Sequence, residues 1–293
     1  MSTAQFATAS NYLMAAATAI VALGFVAYVA QWALTRSRVP AQGATSADVA
    51  GGIGGSLTTL AVVLLGGGIV ARGLAAHRVP WGNMYEFGCA GVFVALTAYL
   101  ILVRAWSIDW IGAAVTGFGA TVLGASMLVY VPAGPLVPAL HSYWLVIHVL
   151  AAMISGSAFL IGAIASALFL VKQGAERRGV PGSAFIATLP ASSDIDRLAF
   201  RVTAFAFPIW TFAALIAGPI WAQYAWGRYW GWDPKEVWAF ITWVVYAGYL
   251  HARATSGWKG RAAAVLALVG FGCFLFNFVG VNLFVPGLHS YAK

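Results

Sequence analysis

Charged residues are scarce in this chain, and so are cysteines. Lys, Arg, Asp and Glu make up 8% of the 293 residues, while 61% are hydrophobic. A soluble globular protein has roughly 25% charged residues. So few charges cannot cover a surface in water, which excludes an ordinary soluble domain. The two cysteines, Cys89 and Cys273, form no CxxC motif, so thiol redox chemistry has no support, and we interpret both as small buried apolar residues.

The sequence also lacks a phosphate-binding glycine loop and a recognisable arrangement of nucleophile and base. The glycines at 51–55 and 66–68 lie in or beside apolar segments, where backbone packing explains them better. The net charge of +8 does not indicate nucleic-acid binding, because a basic excess in a membrane protein usually reflects its orientation. The predicted surroundings are therefore membrane lipid, with no nucleic-acid partner.

Several apolar runs reach the roughly 20 residues that a helix needs to cross a bilayer. Backbone polar groups in lipid must be satisfied within their own segment, so runs of this length predict helices. The expected fold is an all-α, polytopic membrane helical bundle that forms a single integral membrane domain over residues 1–293. The first run, Tyr12 to Leu34, lacks a basic lead-in and is too long for a signal-peptide core, so we interpret it as a retained span. We predict about eight spans: 12–35, 54–73, 87–104, 109–130, 143–172, 200–221, 234–252 and 262–284.

The distribution of Lys and Arg predicts the orientation of the bundle. The loops after the first, third, fifth and seventh spans carry eleven of the sixteen, and the opposite side carries five. Because basic loops face the cytoplasm, both termini and the loop at 221–238 are predicted outside a cell (plasma) membrane. In the fifth span, Ala158, Gly162 and Ser166 recur every four residues, which favours close helix packing.

An eighteen-residue segment, WAQYAWGRYWGWDPKEVW, concentrates aromatic side chains between two apolar runs. Its seven aromatic residues include five tryptophans: Trp221, Trp226, Trp230, Trp232 and Trp238. An interfacial aromatic belt usually explains only one or two of these at a helix end. The density of indoles beside one polar loop therefore predicts a platform for a large flat ligand.

The end of the same segment predicts a helix start. Asp233 is a favoured N-cap, Pro234 suits the first helical position, and Glu236 completes a capping box. This explains both carboxylates without a metal-ion site. It also fixes the aromatic loop against the following helix.

Two histidines are predicted to lie at the depth of this aromatic loop. His148 lies about a turn and a half into the fifth span, and His289 follows the eighth span on the same side. Neutral imidazoles from different helices can ligate one metal from opposite faces, and beside a flat aromatic wall the natural metal is haem iron. His251 lies seventeen residues after Pro234, about 26 Å along a helix. It is too far to ligate the same iron, and we expect either a second inner site or a histidine bonded at the inner interface.

Four segments resemble the CcsA (ResC) family of cytochrome c biogenesis proteins, which belong to a haem-handling group with a WWD motif. They are WGRYWGWDPKEVWAFITWVVYAGYLHAR, LVPALHSYWLVIHV, GVNLFVPGLHSYA and RVPWGNMYEF. The resemblance implies that His148 and His289 are axial ligands of haem b in transit at the outer face. It implies that His251 is the transmembrane histidine associated with haem entering from the inner side. His141 stands where the family is expected to have glutamine, which adds a second candidate ligand near His148.

The predicted haem site includes side chains of the WWD loop. Trp226, Trp230 and Trp232 are expected to pack against the ring, and Asp233 at the loop's end is predicted to be a further haem-binding residue. The propionates are expected to pair with Arg228, Lys235 or Arg78.

The resemblance also implies a function and partners. The family works with CcsB (ResB) as a System II cytochrome c synthetase, which presents haem to the CxxCH motif of apocytochrome c while a thioredoxin-like reductant keeps the cysteines reduced. This chain has no large domain of the CcsB type, so we expect the separate CcsA component. Two alternatives stay open: a haem transporter or chaperone without ligation activity, and a b-type electron carrier.

Overall fold

The computed structural model describes residues 2–35, 44–136, 140–179, 184–255 and 257–288, and this part of the chain contains helices and no strands. The all-α bundle predicted from composition is therefore confirmed. Eleven α-helices are described, in chain order: α1 Thr3–Leu34, α2 Ser46–Ala76, α3 Met84–Trp106, α4 Gly112–Leu128, α5 Tyr143–Arg178, α6 Ala184–Thr188, α7 Ser192–Phe212, α8 Gly218–Trp226, α9 Pro234–Thr255, α10 Arg261–Leu275 and α11 Val281–Phe284.

Each of the eight predicted spans coincides with a helix or a continuous helical run. Seven of these are long and apolar enough to cross a membrane, with α7 and α8 forming one run and α10 and α11 another. The remaining one, α9, has 22 residues, enough for about 33 Å at 1.5 Å per residue, but polar residues at both ends lower its mean hydropathy. The protein is a multi-pass membrane protein, and the crossing by α9 stays a prediction.

Helices extend further than hydropathy indicated at the end of the bundle opposite the aromatic loop. The predicted fifth span ends at residue 172 and the sixth begins at residue 200, but α5 continues to Arg178 and α7 begins at Ser192. Polar contacts stabilise these extensions, since Lys172 donates to the carbonyl of Ile186 at 2.9 Å and Glu176 accepts from the Ser192 hydroxyl. Hydropathy therefore predicts the part of such a helix that lies in the membrane, and it does not predict the polar turns that extend beyond the membrane.

The core of the bundle is built around α5, which packs against α3, α7, α8 and α10. The small residues predicted to allow close packing lie at the contact with α7. Ala158 and Ser166 are buried, and a Cβ on Gly162 would lie 2.8 Å from Thr203 Oγ1. The prediction of close helix packing is confirmed, and it fixes the position of α5 beside the helices that carry the candidate site.

Two helical runs contain a π-helical segment, in each of which the backbone is wound one residue wider per turn. The first covers Ala213–Ala217 between α7 and α8, and the second covers Phe276–Gly280 between α10 and α11. Pro219 follows the first segment and has no backbone N–H, so regular α-helical bonding cannot continue there. Such segments are rare and are often found at functional sites.

Candidate functional site

A cavity opens at the end of the bundle where the aromatic loop lies. Its cavity volume is about 150 Å³, below the about 300–1,000 Å³ of ordinary ligand pockets. Along the last helical run the lining extends from Asn282 to Phe274, about 12 Å at 1.5 Å per residue. The polar and aromatic residues that line it include Trp81, Phe87, His148, Trp221, Trp230, Lys235, Glu236, Asn277, Phe278 and Asn282.

His148 lines this cavity, and the first π-helical segment holds its ring. Its Nδ1 atom lies 2.9 Å from the carbonyl oxygen of Ala213, which also accepts the N–H of Gly218 across the wide turn. A carbonyl can only accept, so the proton resides on Nδ1 and the lone pair on Nε2. The ring also stacks on Trp221, with centroids 6.0 Å apart and planes at 12°. Metal-binding histidines are commonly oriented in this way by a bond to the second ring nitrogen.

The predicted tryptophans of the loop occupy three different environments. Trp230 lines the cavity. Trp226 packs edge-to-face on Trp221 at 4.9 Å and belongs to a hydrophobic cluster behind the cavity wall. Trp232 is 67% exposed and meets Trp230 edge-on at 5.8 Å. One predicted indole therefore contacts the cavity directly, and the other two support it or lie outside it.

The helix start predicted at Asp233 is confirmed. Asp233 Oδ1 accepts the N–H of Lys235 at 3.1 Å, and Glu236 Oε2 accepts the N–H of Asp233 at 3.0 Å. Two further bonds extend the cap beyond the helix: Glu236 Oε2 accepts from Gly231 at 2.8 Å, and Asp233 Oδ2 accepts from Leu288 at 2.8 Å. The cap thus ties the aromatic loop, α9 and the segment after α11 together.

Arg228 lies inside the loop instead of lining the cavity. Its guanidinium occupies the space that a side chain on Gly231 would need, and its Nη1 lies 3.6 Å from Glu236 Oε1. A side chain at 231 would therefore require the Arg228 guanidinium to move. Of the three cations predicted to meet an anionic ligand, Lys235 alone lines the cavity.

The third cation, Arg78, belongs to a buried network behind Trp81. Glu86 binds Arg72 Nε at 2.8 Å and Arg78 Nη1 at 2.7 Å, and it accepts the N–H of Gly82 at 2.8 Å. Arg72 and Glu86 are 1% and 2% exposed. The network holds the connection between α2 and α3, which places Trp81 in the cavity wall. Sequence reasoning singled out this segment as part of a resemblance but did not identify Trp81 as a lining residue.

The other histidines lie away from His148 or outside the described residues. His141 lines a neighbouring hollow with Trp81 and Leu140, and its Nε2 lies 3.3 Å from the carbonyl of Leu136. His251 is exposed near the C-terminal end of α9 and does not line the cavity. His77 ends α2 in a left-handed conformation with φ of 52°. His289 lies outside the described residues, directly after Leu288.

Sequence comparisons place the chain among proteins of cytochrome c maturation. The model of the family "Cytochrome C assembly protein" matches residues 81–289, which include the cavity and the whole aromatic loop. A cytochrome c biogenesis protein CcsA from Synechococcus sp. (strain CC9902) is 35% identical over 93% of this chain and 96% of its own length. The CcsA protein of Guillardia theta is 37% identical over 82% of this chain and 85% of its own.

A solved structure with a similar fold is that of the cytochrome c haem lyase CcmF. It superposes with a TM-score of 0.64 at 17% sequence identity, covering 96% of this chain and 50% of the lyase chain. This chain therefore spans half of the lyase's length. At this level of identity the likeness concerns the fold of the bundle.

Proposed function

The chain belongs to the CcsA family of cytochrome c biogenesis proteins, and on that premise we propose that it holds haem b as a substrate in transit and presents it for covalent attachment to apocytochrome c. His148 and His289 are the proposed axial ligands. The cavity beside His148 is the proposed haem site. This cavity lies at one end of the proposed single membrane domain, which covers the whole chain.

The observation that carries this proposal is the state of His148. Its Nδ1–H donates to the Ala213 carbonyl, so in the neutral imidazole the electron pair lies on Nε2, the nitrogen that would coordinate iron. The surrounding wall suits a flat apolar ring, since Trp230, Phe87 and Phe278 line the same cavity, where the two phenylalanine rings pack at 4.4 Å with their planes tilted by 35°. Haem ligation by histidine within an aromatic pocket needs both features.

The second ligand is proposed from chain connectivity. Asp233 fixes the amide of Leu288 at the C-terminal edge of the aromatic loop, and His289 is the next residue. The helix cap therefore has a functional consequence, because it anchors the segment that carries the second imidazole. Asp233 would act through the position of His289 and not by touching the ring.

Lys235 offers a cation to the anionic groups of the proposed ligand. Haem carries two propionates, and Lys235 is the predicted cation that lines the cavity. A charge-assisted bond from an ammonium to a carboxylate is roughly twice as strong as a neutral one. We assign Lys235 the propionate role, while Arg228 and Arg78 stabilise the protein around the site.

The family and the charge bias support the proposed location and partners. Basic residues concentrate at the end opposite the cavity, which supports a cavity on the extracytoplasmic side of the plasma membrane. The proposed partners are CcsB (ResB), apocytochrome c and a thioredoxin-like reductant of its cysteines. His251 lies at the other end of α9, and the proposed role there is contact with haem that enters from the cytoplasmic side.

The attachment reaction depends on how the haem vinyl groups and the cysteines are placed, and it needs little chemistry from the side chains of this chain. Each thioether forms when a cysteine S–H adds across a vinyl C=C bond, with sulfur bound to one carbon and hydrogen to the other, so nothing leaves and no net oxidation occurs. The tetrapyrrole supplies the reactive double bonds. The residues of this chain bind the ring, orient it and hold it against an apolar wall.

The test is a comparison of haem content and ligation in the full-length chain purified with its partner. The double variant His148→Ala/His289→Ala should lose most of its Soret absorbance, whereas His141→Ala should retain it. Unchanged haem content and ligation in the double variant would overturn the proposed site. Reconstitution with haem and a CxxCH peptide then separates the alternatives: covalent product supports attachment, transfer without product indicates a transporter, and reversible redox cycling without transfer indicates an electron carrier.

A further inference from the structure

The cavity contains a second set of polar groups that haem does not explain. Asn277 and Asn282 line it from the last helical run, and they are 6% and 8% exposed. Both Oδ1 atoms are buried and make no hydrogen bond within the described part of the chain. A buried amide oxygen without a donor costs about 1–3 kcal/mol, so both groups favour an occupant of the cavity that donates hydrogen bonds.

The second π-helical segment presents these amides to the cavity. It covers Phe276–Gly280, so Asn277 lies within it and Asn282 follows it by two residues. The Asn282 amide group donates to the carbonyl of Phe278, which fixes its orientation and leaves Oδ1 as an acceptor. The same cavity is therefore bordered by two π-helical segments, one that orients His148 and one that positions two acceptors.

A third acceptor lies in the same wall. Glu236 Oε2 binds two backbone N–H groups of the loop, while Glu236 Oε1 is buried and makes no hydrogen bond among the described residues. Its nearest cation is Arg228, at 3.6 Å, which is beyond hydrogen-bond distance. The wall thus presents three buried oxygen atoms without a donor among the described residues, beside the buried Nε1–H of Trp81, which lacks an acceptor there.

Haem cannot supply that donor. Iron protoporphyrin has methyl, vinyl and propionate groups at its rim, and at neutral pH its propionates accept hydrogen bonds. A peptide with a CxxCH motif carries S–H groups and backbone N–H groups, which are donors of the kind these oxygens require. The unpaired oxygens of the cavity therefore complement a peptide, whereas its aromatic residues and His148 complement haem.

We propose that Asn277 and Asn282, with Glu236 beside them, form a subsite for the donor groups of the cysteine-bearing peptide. This inference rests on the proposed function of haem presentation. The two asparagines are positioning residues: they hold an S–H or N–H of the peptide beside the haem without taking its proton. The thiol hydrogen then stays available for transfer to the vinyl carbon.

The experiment measures haem binding and peptide attachment separately in the full-length chain. Asn277→Leu and Asn282→Leu keep side-chain size and remove the acceptor, and Asn11→Leu is the control because Asn11 lies on α1 and bonds Tyr130. We expect haem content and the Soret maximum to be unchanged in both cavity variants. The KM for a CxxCH peptide should rise at least tenfold, and Asn282→Asp, which keeps an acceptor oxygen, should restore part of the loss.

Two results would overturn the subsite. Either the asparagine variants lose haem as His148→Ala does, which would make them haem contacts, or they bind haem and attach peptide like the control. Failure of the proposed function is a different result, because it would appear as full haem content in the His148→Ala/His289→Ala variant. The two failures are therefore distinguishable in one set of proteins.

Discussion

The Nδ1 atom of His148 and the carbonyl oxygen of Ala213 lie 2.9 Å apart, across two different helical runs. The π-helical segment that begins at Ala213 makes this contact possible. Its wide turn leaves the Ala213 carbonyl accessible to the imidazole, while the same carbonyl still accepts the N–H of Gly218. One backbone irregularity thus determines the tautomer and the direction of an imidazole in α5.

Gly218 should be essential to the geometry around His148. A Cβ at 218 would lie 3.2 Å from His148 Cε1 and Nδ1 and 3.1 Å from the Ala213 oxygen, so Gly218→Ala must displace the ring by a few tenths of an ångström. We expect a shifted Soret maximum and roughly tenfold weaker haem binding, about 1.4 kcal/mol. Gly248→Ala is the control, since a Cβ there meets no atom within 4 Å. Equal spectra for both variants would show that the contact does not matter.

Lys235→Met should weaken haem binding through the propionates. A hydrogen bond to a charged group contributes about 1.5–3 kcal/mol, so the dissociation constant should rise roughly tenfold or more. Haem dimethyl ester has no propionate charge, and its affinity should be the same for Lys235→Met and the unchanged protein. Lys259→Met, at the opposite end of the bundle, should alter neither affinity. If both ligands lose affinity equally in Lys235→Met, the lysine acts on the fold and not on the carboxylate.

Asp233→Ala should cost more stability than the loss of a helix cap alone. An N-cap contributes about 0.5–2 kcal/mol, and Asp233 also holds the amide of Leu288. Thr45→Ala removes the N-cap of α2, where the Thr45 hydroxyl bonds the Asp48 carboxylate and accepts from the Asp48 N–H. Hydrogen exchange at residues 285–288 should become faster in Asp233→Ala and stay unchanged in Thr45→Ala. Unchanged exchange in both variants would contradict the anchoring role.

How much of this was predictable from the sequence depends on the kind of contact. The helix start at Asp233 was predictable because N-cap, Pro and Glu act within one turn of chain. His148 was identified because an imidazole in an apolar run is unusual in itself. The roles of Trp226, Trp232 and Arg228 were not predictable, because aromatic density does not show which ring faces a cavity.

The π-helical segments explain why the rest of the site was missed. Asn277 and Asn282 are five residues apart, a spacing that does not place two side chains on one face of a regular α-helix. The π-helical turn between them brings both side chains to the same face of the helix. Pro219 is the local signal for the first irregular segment, but no comparable proline lies within the second.

Glu86→Gln should destabilise the protein strongly and disturb the site. The carboxylate serves both Arg72 and Arg78, and loss of its charge leaves two buried guanidinium groups poorly paired. Breaking a buried pair costs about 3–5 kcal/mol, which should appear as a lower Tm together with reduced haem content, because Trp81 loses its support. Asp196→Asn, which breaks the pair with Arg253 at the other end, should lower Tm less and leave haem content intact. Full haem content in a folded Glu86→Gln protein would contradict the link to Trp81.

The most direct test of the central claim is the Soret spectrum of His148→Gly before and after addition of imidazole. If Nε2 of His148 is an iron ligand, the spectrum should change in the variant and return when free imidazole occupies the vacated space, while His141→Gly should show neither effect. A His148→Gly protein with the unchanged haem spectrum, and no response to imidazole, would contradict the account.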